Sequence, residues 1–145
     1  MDGLILPDLP YEEKEEFSPE CKKYGLPLIS LVAPTSNERI KRIAGDAEGF
    51  LYIVSSLGVT GVRDNISSDA GKIAEAARKH TGIPLAVGFG ISTPQQARTM
   101  ALCAEGIIVG SRVVKIIEEH GADSYKAVGE YVKMMKQAAN EAGAP

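Results

Sequence analysis

Three short glycine-containing stretches have the residue types that bind an anion through backbone amides. Each follows an apolar run: Gly58-Val-Thr-Gly61, Gly88-Phe-Gly90 and Val109-Gly-Ser111. A glycine has no Cβ atom, so its N–H can approach a ligand closely, and Ser111 adds a hydroxyl donor at a predicted helix start. The sequence therefore predicts one phosphate site with four members: Gly61, Gly90, Gly110 and Ser111.

Helix starts strengthen this interpretation. The first N–H groups of a helix lack intrahelical partners, and the helix dipole favours an anion there. We expect unpaired N–H groups at the helix that Ser92, Thr93 and Pro94 open, and again at Ser111. The alternative is that each glycine merely serves a tight turn or a helix cap. Their recurrence at three strand ends favours the site.

The elements that must position these residues are strands and helices in strict alternation. Apolar runs bounded by Gly and Pro predict strands over 3–6, 28–32, 50–54, 85–89 and 106–109. Capping residues and periodicity predict helices over 11–17, 19–24, 37–44, 69–80, 93–103, 111–120 and 124–142. This order is typical of a parallel sheet with crossover helices. The fold class is therefore α/β, with parallel βα repeats in one domain over 1–145.

Parallel strands bring the three glycine stretches together. Their carboxyl ends meet at one edge of the sheet, and neighbours lie about 4.8 Å apart, so three ends span about 10 Å. A phosphate site after the last two strands is characteristic of (β/α)8 barrels. The segment 55–67 is long for a βα loop. We expect it to be a binding loop with Gly58 and Gly61 as joints, poorly ordered without ligand.

Composition excludes several classes of protein. The net charge is −3 with no basic block, so nucleic acid is not an expected partner. No apolar run approaches the roughly 20 residues of a membrane span, and no secretion signal is seen. Cys21 and Cys103 are isolated, which predicts a cytoplasmic protein and no metal site. No Gly-x-Gly-x-x-Gly follows the first strand, so we expect no nucleotide cofactor. That strand begins almost at Met1, as if the chain started inside a larger fold.

Six motifs together resemble the tryptophan synthase α subunit family. They run in family order across nearly the whole chain: Asp2-Gly-Leu-Ile-Leu-Pro-Asp8-Leu-Pro10, Val32-Ala-Pro34-Thr35, Tyr52-Ile-Val-Ser55, Gly58-Val-Thr-Gly61, Val87-Gly-Phe-Gly-Ile-Ser92 and Val109-Gly-Ser111. The resemblance implies a partial TIM (β/α)8 barrel that holds the fourth to eighth βα units. It also implies retro-aldol cleavage of indole-3-glycerol phosphate to indole and glyceraldehyde 3-phosphate in the complete protein.

The resemblance also implies roles for particular residues. Gly61, Gly90, Gly110 and Ser111 would hold the substrate phosphate. Tyr52 and Phe89 would line the rest of the substrate pocket, and Thr60 would lie on the closing loop. Asp8 and Pro10 would lie near the face that docks the β subunit.

Two departures from the family pattern matter. Arg112 stands where the family usually has a small residue, and it either contacts phosphate or projects into solvent. The family's catalytic Glu and Asp come from the second βα unit, which this chain does not contain. Asp8 is the only carboxylate at a predicted strand end, and one carboxylate cannot serve as both acid and base. We therefore expect no catalytic residue in this chain and an inactive protein when it is alone.

Two other functions stay open on the sequence. The chain could be a non-catalytic phosphate-binding or assembly module, as a homodimer of half-barrels that covers their open strand edges. It could also belong to another phosphate-binding barrel enzyme, although the Gly58-Val-Thr-Gly61 loop argues against this.

Overall fold

Short parallel strands alternate with helices along the described chain. In the computed structural model, residues 1–55 and 65–143 are described, without the side chains of 65–68. The strands are β1 Leu4–Ile5, β2 Leu28–Ile29, β3 Leu31–Val32, β4 Leu51–Val54, β5 Leu85–Gly88 and β6 Gly106–Ile107. The α-helices are α1 Ser18–Lys23, α2 Asn37–Gly45, α3 Asn65–Arg78, α4 Pro94–Ala101, α5 Ser111–His120 and α6 Ser124–Glu141. Two 3₁₀ segments cover Tyr11–Glu16 and Gly121–Asp123.

Every recorded strand pair is parallel, as predicted. The strand orders are β1-β2 and β3-β4-β5-β6, so neighbours in the sheet are neighbours in the chain. The strands β2 and β3 are halves of one predicted strand, and Ser30 lies between them. The Ser30 carbonyl accepts a hydrogen bond from the Tyr52 N–H at 3.0 Å, which ties this strand to β4. Sequential parallel order is what part of a (β/α)8 barrel requires.

The two faces of the sheet have different partners. Val32, Ile53 and Val87 are fully buried and pack with helix residues such as Ile73 and Met100. Side chains alternate between faces along a strand. Tyr52, which lies between Leu51 and Ile53, is buried but does not belong to that helix-side cluster. Tyr52 therefore lies on the opposite face, which is the interior face of a barrel.

Local sequence signals explain the helix ends. Ser36 caps α2 by accepting a hydrogen bond from the Arg39 N–H at 3.4 Å, and Gly25 follows α1 with a φ of 63°. A residue with positive φ after a helix is usually glycine because the conformation strains side chains that carry a Cβ atom. No described helix has the length and hydropathy of a membrane-crossing segment.

Several predicted boundaries are wrong by a few residues. The segment predicted as a helix over 11–17 is a 3₁₀ helix over Tyr11–Glu16, because so short a piece gains little from α-helical propagation. The helix predicted from Asp69 begins at Asn65, inside the predicted loop. Strand β5 ends at Gly88 because Phe89 has a φ of 74°, which no strand residue adopts. Strand β6 ends at Ile107 rather than at Val109.

Candidate functional site

A cleft of about 400 Å³ lies where the strands and α5 meet. Five of the residues predicted for the site or its pocket line it, namely Tyr52, Phe89, Gly90, Gly110 and Ser111. The other lining residues are Ile91, Ser92, Ile108 and Arg112. The fold thus brings two of the three glycine stretches to one cavity, beside two aromatic rings.

The turn after β5 forms one wall of the cleft. Phe89 and Gly90 both have left-handed backbone conformations, with φ of 74° and 72°. This conformation is uncommon for a bulky residue such as Phe89, which is half exposed. Consecutive amides in such turns form concave donor surfaces that suit anions. The glycine motif predicted a close approach here but not the strain at Phe89.

A buried serine holds this turn in place. The Ser55 side chain is 1% exposed, and its Oγ lies 2.7 Å from the Gly88 carbonyl oxygen and 2.8 Å from that of Phe89. The Ser55 N–H also donates to the Gly88 carbonyl at 3.0 Å. The sequence patterns predict no role for Ser55. The available signal was a polar residue directly after the largely buried strand β4.

Tyr52 forms the floor of the cleft. Its ring covers Gly88 so closely that a Cβ atom built on Gly88 would lie 1.9 Å from the Tyr52 hydroxyl oxygen. The Phe89 ring meets it edge to face, with 5.9 Å between the ring centroids. Burial raises the pKa of Tyr52, and a hydrogen bond with the Phe89 backbone opposes that shift in part. The hydroxyl therefore stays protonated at neutral pH and is available as a donor.

The opposite wall is the N-terminus of α5. Gly110 is the residue before the helix, and no side chain caps this end. The Gly110 carbonyl accepts from the N–H groups of Val113 at 2.9 Å and Val114 at 3.1 Å, so the helix is regular from its first turn. A Cβ atom built on Gly110 would meet no described protein atom within 4 Å. The first amides of α5 and the Ser111 hydroxyl are therefore suitably placed for an anion.

The N-terminus of α4 does not offer the free amides that we expected. Thr93 and Gln96 form a reciprocal capping box at this end. The Gln96 Oε1 accepts from the N–H of Ser92 at 2.9 Å and of Thr93 at 3.1 Å, and Thr93 Oγ1 accepts from the Gln96 N–H at 3.3 Å. That part of the prediction is wrong because the side chains of Thr93 and Gln96, which flank Pro94, already satisfy these donors.

Among the described residues, one charged side chain lines the cleft. Arg112 is the only formally charged residue among its described lining residues, so the wall carries a positive charge and no carboxylate. Asp8, the one carboxylate predicted at a strand end, is exposed and does not line the cleft. Pro10 is also exposed and lines a separate small crevice with Leu6 and Tyr11.

Some predicted residues fall outside the described part of the chain. These are Gly58, Thr60 and Gly61, together with most of the predicted loop over 55–67. The expected mobility of that loop therefore stays a prediction, as does the contribution of Gly61 to the site.

Known proteins resemble this chain closely. The family model described as tryptophan synthase alpha chain matches residues 1–142. The tryptophan synthase alpha chain of Lacticaseibacillus casei is 42% identical over 136 residues, which cover 94% of this chain and 51% of that protein. The corresponding protein of Geobacillus kaustophilus is 49% identical over 118 residues, covering 81% of this chain and 44% of the relative.

Solved structures agree with the sequence relatives. Tryptophan synthase subunit alpha from Campylobacter jejuni superposes with a TM-score of 0.78 at 32% identity, covering 96% of this chain and 53% of that one. A chain from the tryptophan synthase α2β2 complex of Pyrococcus furiosus gives a TM-score of 0.80 at 32% identity, covering 94% and 56%. This chain thus spans about half the length of the relatives it matches. The predicted partial barrel is confirmed, and the chain belongs to the tryptophan synthase alpha chain family.

Proposed function

We propose that this chain is the substrate-phosphate-binding part of a tryptophan synthase α-type barrel, and that its ligand is indole-3-glycerol phosphate. One observation carries the proposal: Gly90, Gly110 and Ser111 line the same cleft, and its described wall has no negative charge. Backbone amides of a tight turn and of a helix N-terminus are a recurrent way to hold a phosphate group. Gly61 is proposed as the fourth member of this site.

The apolar part of the cleft suits the rest of such a substrate. Tyr52, Phe89 and Ile108 lie beside the proposed phosphate position. Aromatic and aliphatic side chains pack favourably on a flat ring such as indole. The protonated Tyr52 hydroxyl adds a donor for the glycerol oxygens. Thr60 is proposed to lie on the loop that closes over the ligand.

These 145 residues are proposed to bind the substrate without cleaving it. Retro-aldol cleavage needs a proton donor for the indole ring and a base for the substrate hydroxyl, and each such group typically contributes about 10²–10⁴-fold in rate. The described lining residues do not supply this pair, because none of them is a carboxylate or a histidine and the protonated Tyr52 hydroxyl is a donor only. Tyrosine alone is a poor base while burial keeps its pKa raised. Lyase activity is proposed only for an assembly that brings a carboxylate pair to this cleft.

The family also suggests a protein partner and a cellular location. The P. furiosus relative belongs to an α2β2 complex. We propose that the exposed Asp8 and Pro10 contribute to a surface for a β subunit, because they follow β1 at the carboxyl edge of the sheet. Both cysteines are free, in line with a proposed cytoplasmic location.

A second candidate is an assembly module in which two copies close a barrel together. Strands β1 and β6 each have only one neighbour in the described part of the chain. Unpaired strand edges favour pairing with another chain. Two copies related by a twofold axis along the barrel would place β6 of one beside β1 of the other, in parallel.

Titration calorimetry with glycerol 3-phosphate, paired with an indole-release assay, tests the proposed function. We expect binding by the chain and no indole release from indole-3-glycerol phosphate. Gly110→Ala should weaken binding about tenfold or more because its Cβ atom enters the cleft, whereas loss of the glycine cap costs only about 1 kcal/mol of stability. Glycerol, which lacks the phosphate, is the control ligand. Unchanged affinity in the folded Gly110→Ala protein would place the phosphate elsewhere, and indole release at a normal enzyme rate would contradict the missing acid and base.

A further inference from the structure

Arg112 occupies the second position of α5, next to Ser111, and lines the cleft. Its guanidinium does not project freely into solvent. Arg112 Nη1 lies 3.4 Å from Glu119 Oε1, two helical turns further along α5. The structure therefore gives this cation a defined partner on the outer surface of the same helix.

The pair with Glu119 is weak. A strong hydrogen bond between a guanidinium and a carboxylate has an N···O distance of about 2.7–2.9 Å, and this one is longer. The side chains of Arg112 and Glu119 are 37% and 42% exposed, so water screens the attraction. An anion that binds more strongly and lies close by would therefore displace Glu119 from the guanidinium.

The positive charge is also near the cleft wall. Burial raises the pKa of Tyr131 on α6, and the charge of Arg112 opposes part of that shift. The Tyr131 hydroxyl donates to the carbonyl of Ser92 at 3.1 Å, and Ser92 lines the cleft. Arg112 thus pairs with Glu119 while it lines the same cleft as Ser92.

Helix geometry favours the movement. Side chains of an α-helix lean towards its N-terminus. To reach Glu119, the Arg112 side chain must instead extend towards the C-terminus of α5. A rotamer change towards the N-terminus would bring the guanidinium over the first turn of α5, where the proposed phosphate lies. The planar guanidinium matches two phosphate oxygens at once.

We propose that Arg112 is a phosphate-binding residue that Glu119 holds until the ligand arrives: when a phosphate monoester enters the cleft, the guanidinium leaves Glu119 and binds the phosphate oxygens. This inference rests on the proposed function, because it assumes the phosphate lies at Gly110 and Ser111. In this chain the phosphate would then be bound both by backbone amides and by the Arg112 side chain.

Calorimetric titration of four variants with glycerol 3-phosphate tests the inference. Arg112→Ala should weaken binding about tenfold. Glu119→Gln should tighten it about two- to threefold, since the competing carboxylate is gone. The double variant should bind like Arg112→Ala, because Glu119 acts only through the guanidinium. Arg98→Ala is the matched control, since Arg98 pairs with Glu141 and does not line the cleft.

The outcomes separate this inference from the proposed function. Wild-type affinity in both Arg112→Ala and Glu119→Gln, with weakened binding in Gly110→Ala, would overturn the role of Arg112 and leave the phosphate site standing. If Gly110→Ala also bound normally, the site itself would be misplaced. Circular dichroism confirms that each variant is folded, and should Arg112→Ala unfold, the affinity of Glu119→Gln decides the matter.

Discussion

Tyr52 and Gly88 pack closely against each other at the floor of the cleft. A Cβ atom on Gly88 would lie 1.9 Å from the Tyr52 hydroxyl oxygen and 2.4 Å from its ring carbon. Gly88→Ala must therefore displace the ring from its buried place. We expect a loss of about 1–3 kcal/mol in the free energy of unfolding, by analogy with overpacked cores. Urea denaturation measures it, and near-UV circular dichroism reports the tyrosine environment.

A double-mutant cycle provides the control for this prediction. Tyr52→Ala removes the atoms that a Cβ on Gly88 would strike, so Gly88→Ala should cost little in that background. Gly71→Ala is a matched glycine variant, because a Cβ there meets no described atom within 4 Å. An equal cost of Gly88→Ala with and without the Tyr52 ring would show that the clash does not govern this site.

Around the cleft, the residues that line it were more predictable from the sequence than their backbone conformations. Gly90, Gly110 and Ser111 were predicted from glycine and serine at strand ends, and they line one cleft. The left-handed φ of Phe89 was not predictable, because it depends on the hydrogen bonds that Ser55 makes with the turn from 33 residues away. The capping box of α4 was readable from Thr93 and Gln96, and it was missed.

At the scale of elements, Glu105 joins two βα units. Its carboxylate accepts from the Leu85 N–H at 2.8 Å and pairs with Arg78 at the end of α3. Burial raises the pKa of Glu105, but the Leu85 N–H and the Arg78 charge outweigh it, so the net pKa lies below its usual 4.5. The ionised carboxylate therefore stabilises the junction of β5, β6 and α3.

The lowered pKa of Glu105 predicts that its contribution to the free energy of unfolding depends on pH. A carboxyl with a lowered pKa in the folded state adds stability above its usual pKa and loses it as the pH falls through the lowered value. Glu105→Gln should reduce the free energy of unfolding by about 0.5–1 kcal/mol at pH 7, and by less near pH 3. Denaturation at both pH values checks this, with the control variant Glu130→Gln, which changes an exposed residue of α6. A loss that grows towards acid pH would contradict the assigned role.

Element order was predictable from the sequence because apolar runs and capping residues are local signals. The residues at which strands and helices begin and end were less predictable. The break at Ser30 reflects pairing with β1 on one side and with β4 on the other, a tertiary property that no local pattern carries. The start of α3 at Asn65 likewise lies within a stretch of polar residues that predicted a loop.

At the scale of the whole molecule, we expect the unpaired edges of strands β1 and β6 to determine whether two copies associate. Ile5 lies on the edge strand β1 and is 40% exposed, which is unusual for an apolar strand residue of a closed barrel. If two copies close one barrel, light scattering should give twice the monomer mass. Ile5→Lys should shift the protein towards monomer, because a charge on an edge strand opposes pairing.

A helix residue provides the matched control for association. Ile117 is 46% exposed but lies on α5 rather than on a strand edge, so Ile117→Lys should leave the mass unchanged. A monomer at all concentrations, or an equal effect of both variants, would count against closure by a second copy and favour a different partner for the edges.

We propose that a phosphate group binds between the turn after β5 and the start of α5. Titration of ¹⁵N-labelled protein with glycerol 3-phosphate, followed by amide NMR, tests it most directly. We expect saturable shifts that are largest for Gly90, Gly110 and Ser111, and no such shifts with glycerol. Shifts that centre on other residues, or none at millimolar ligand, would contradict it.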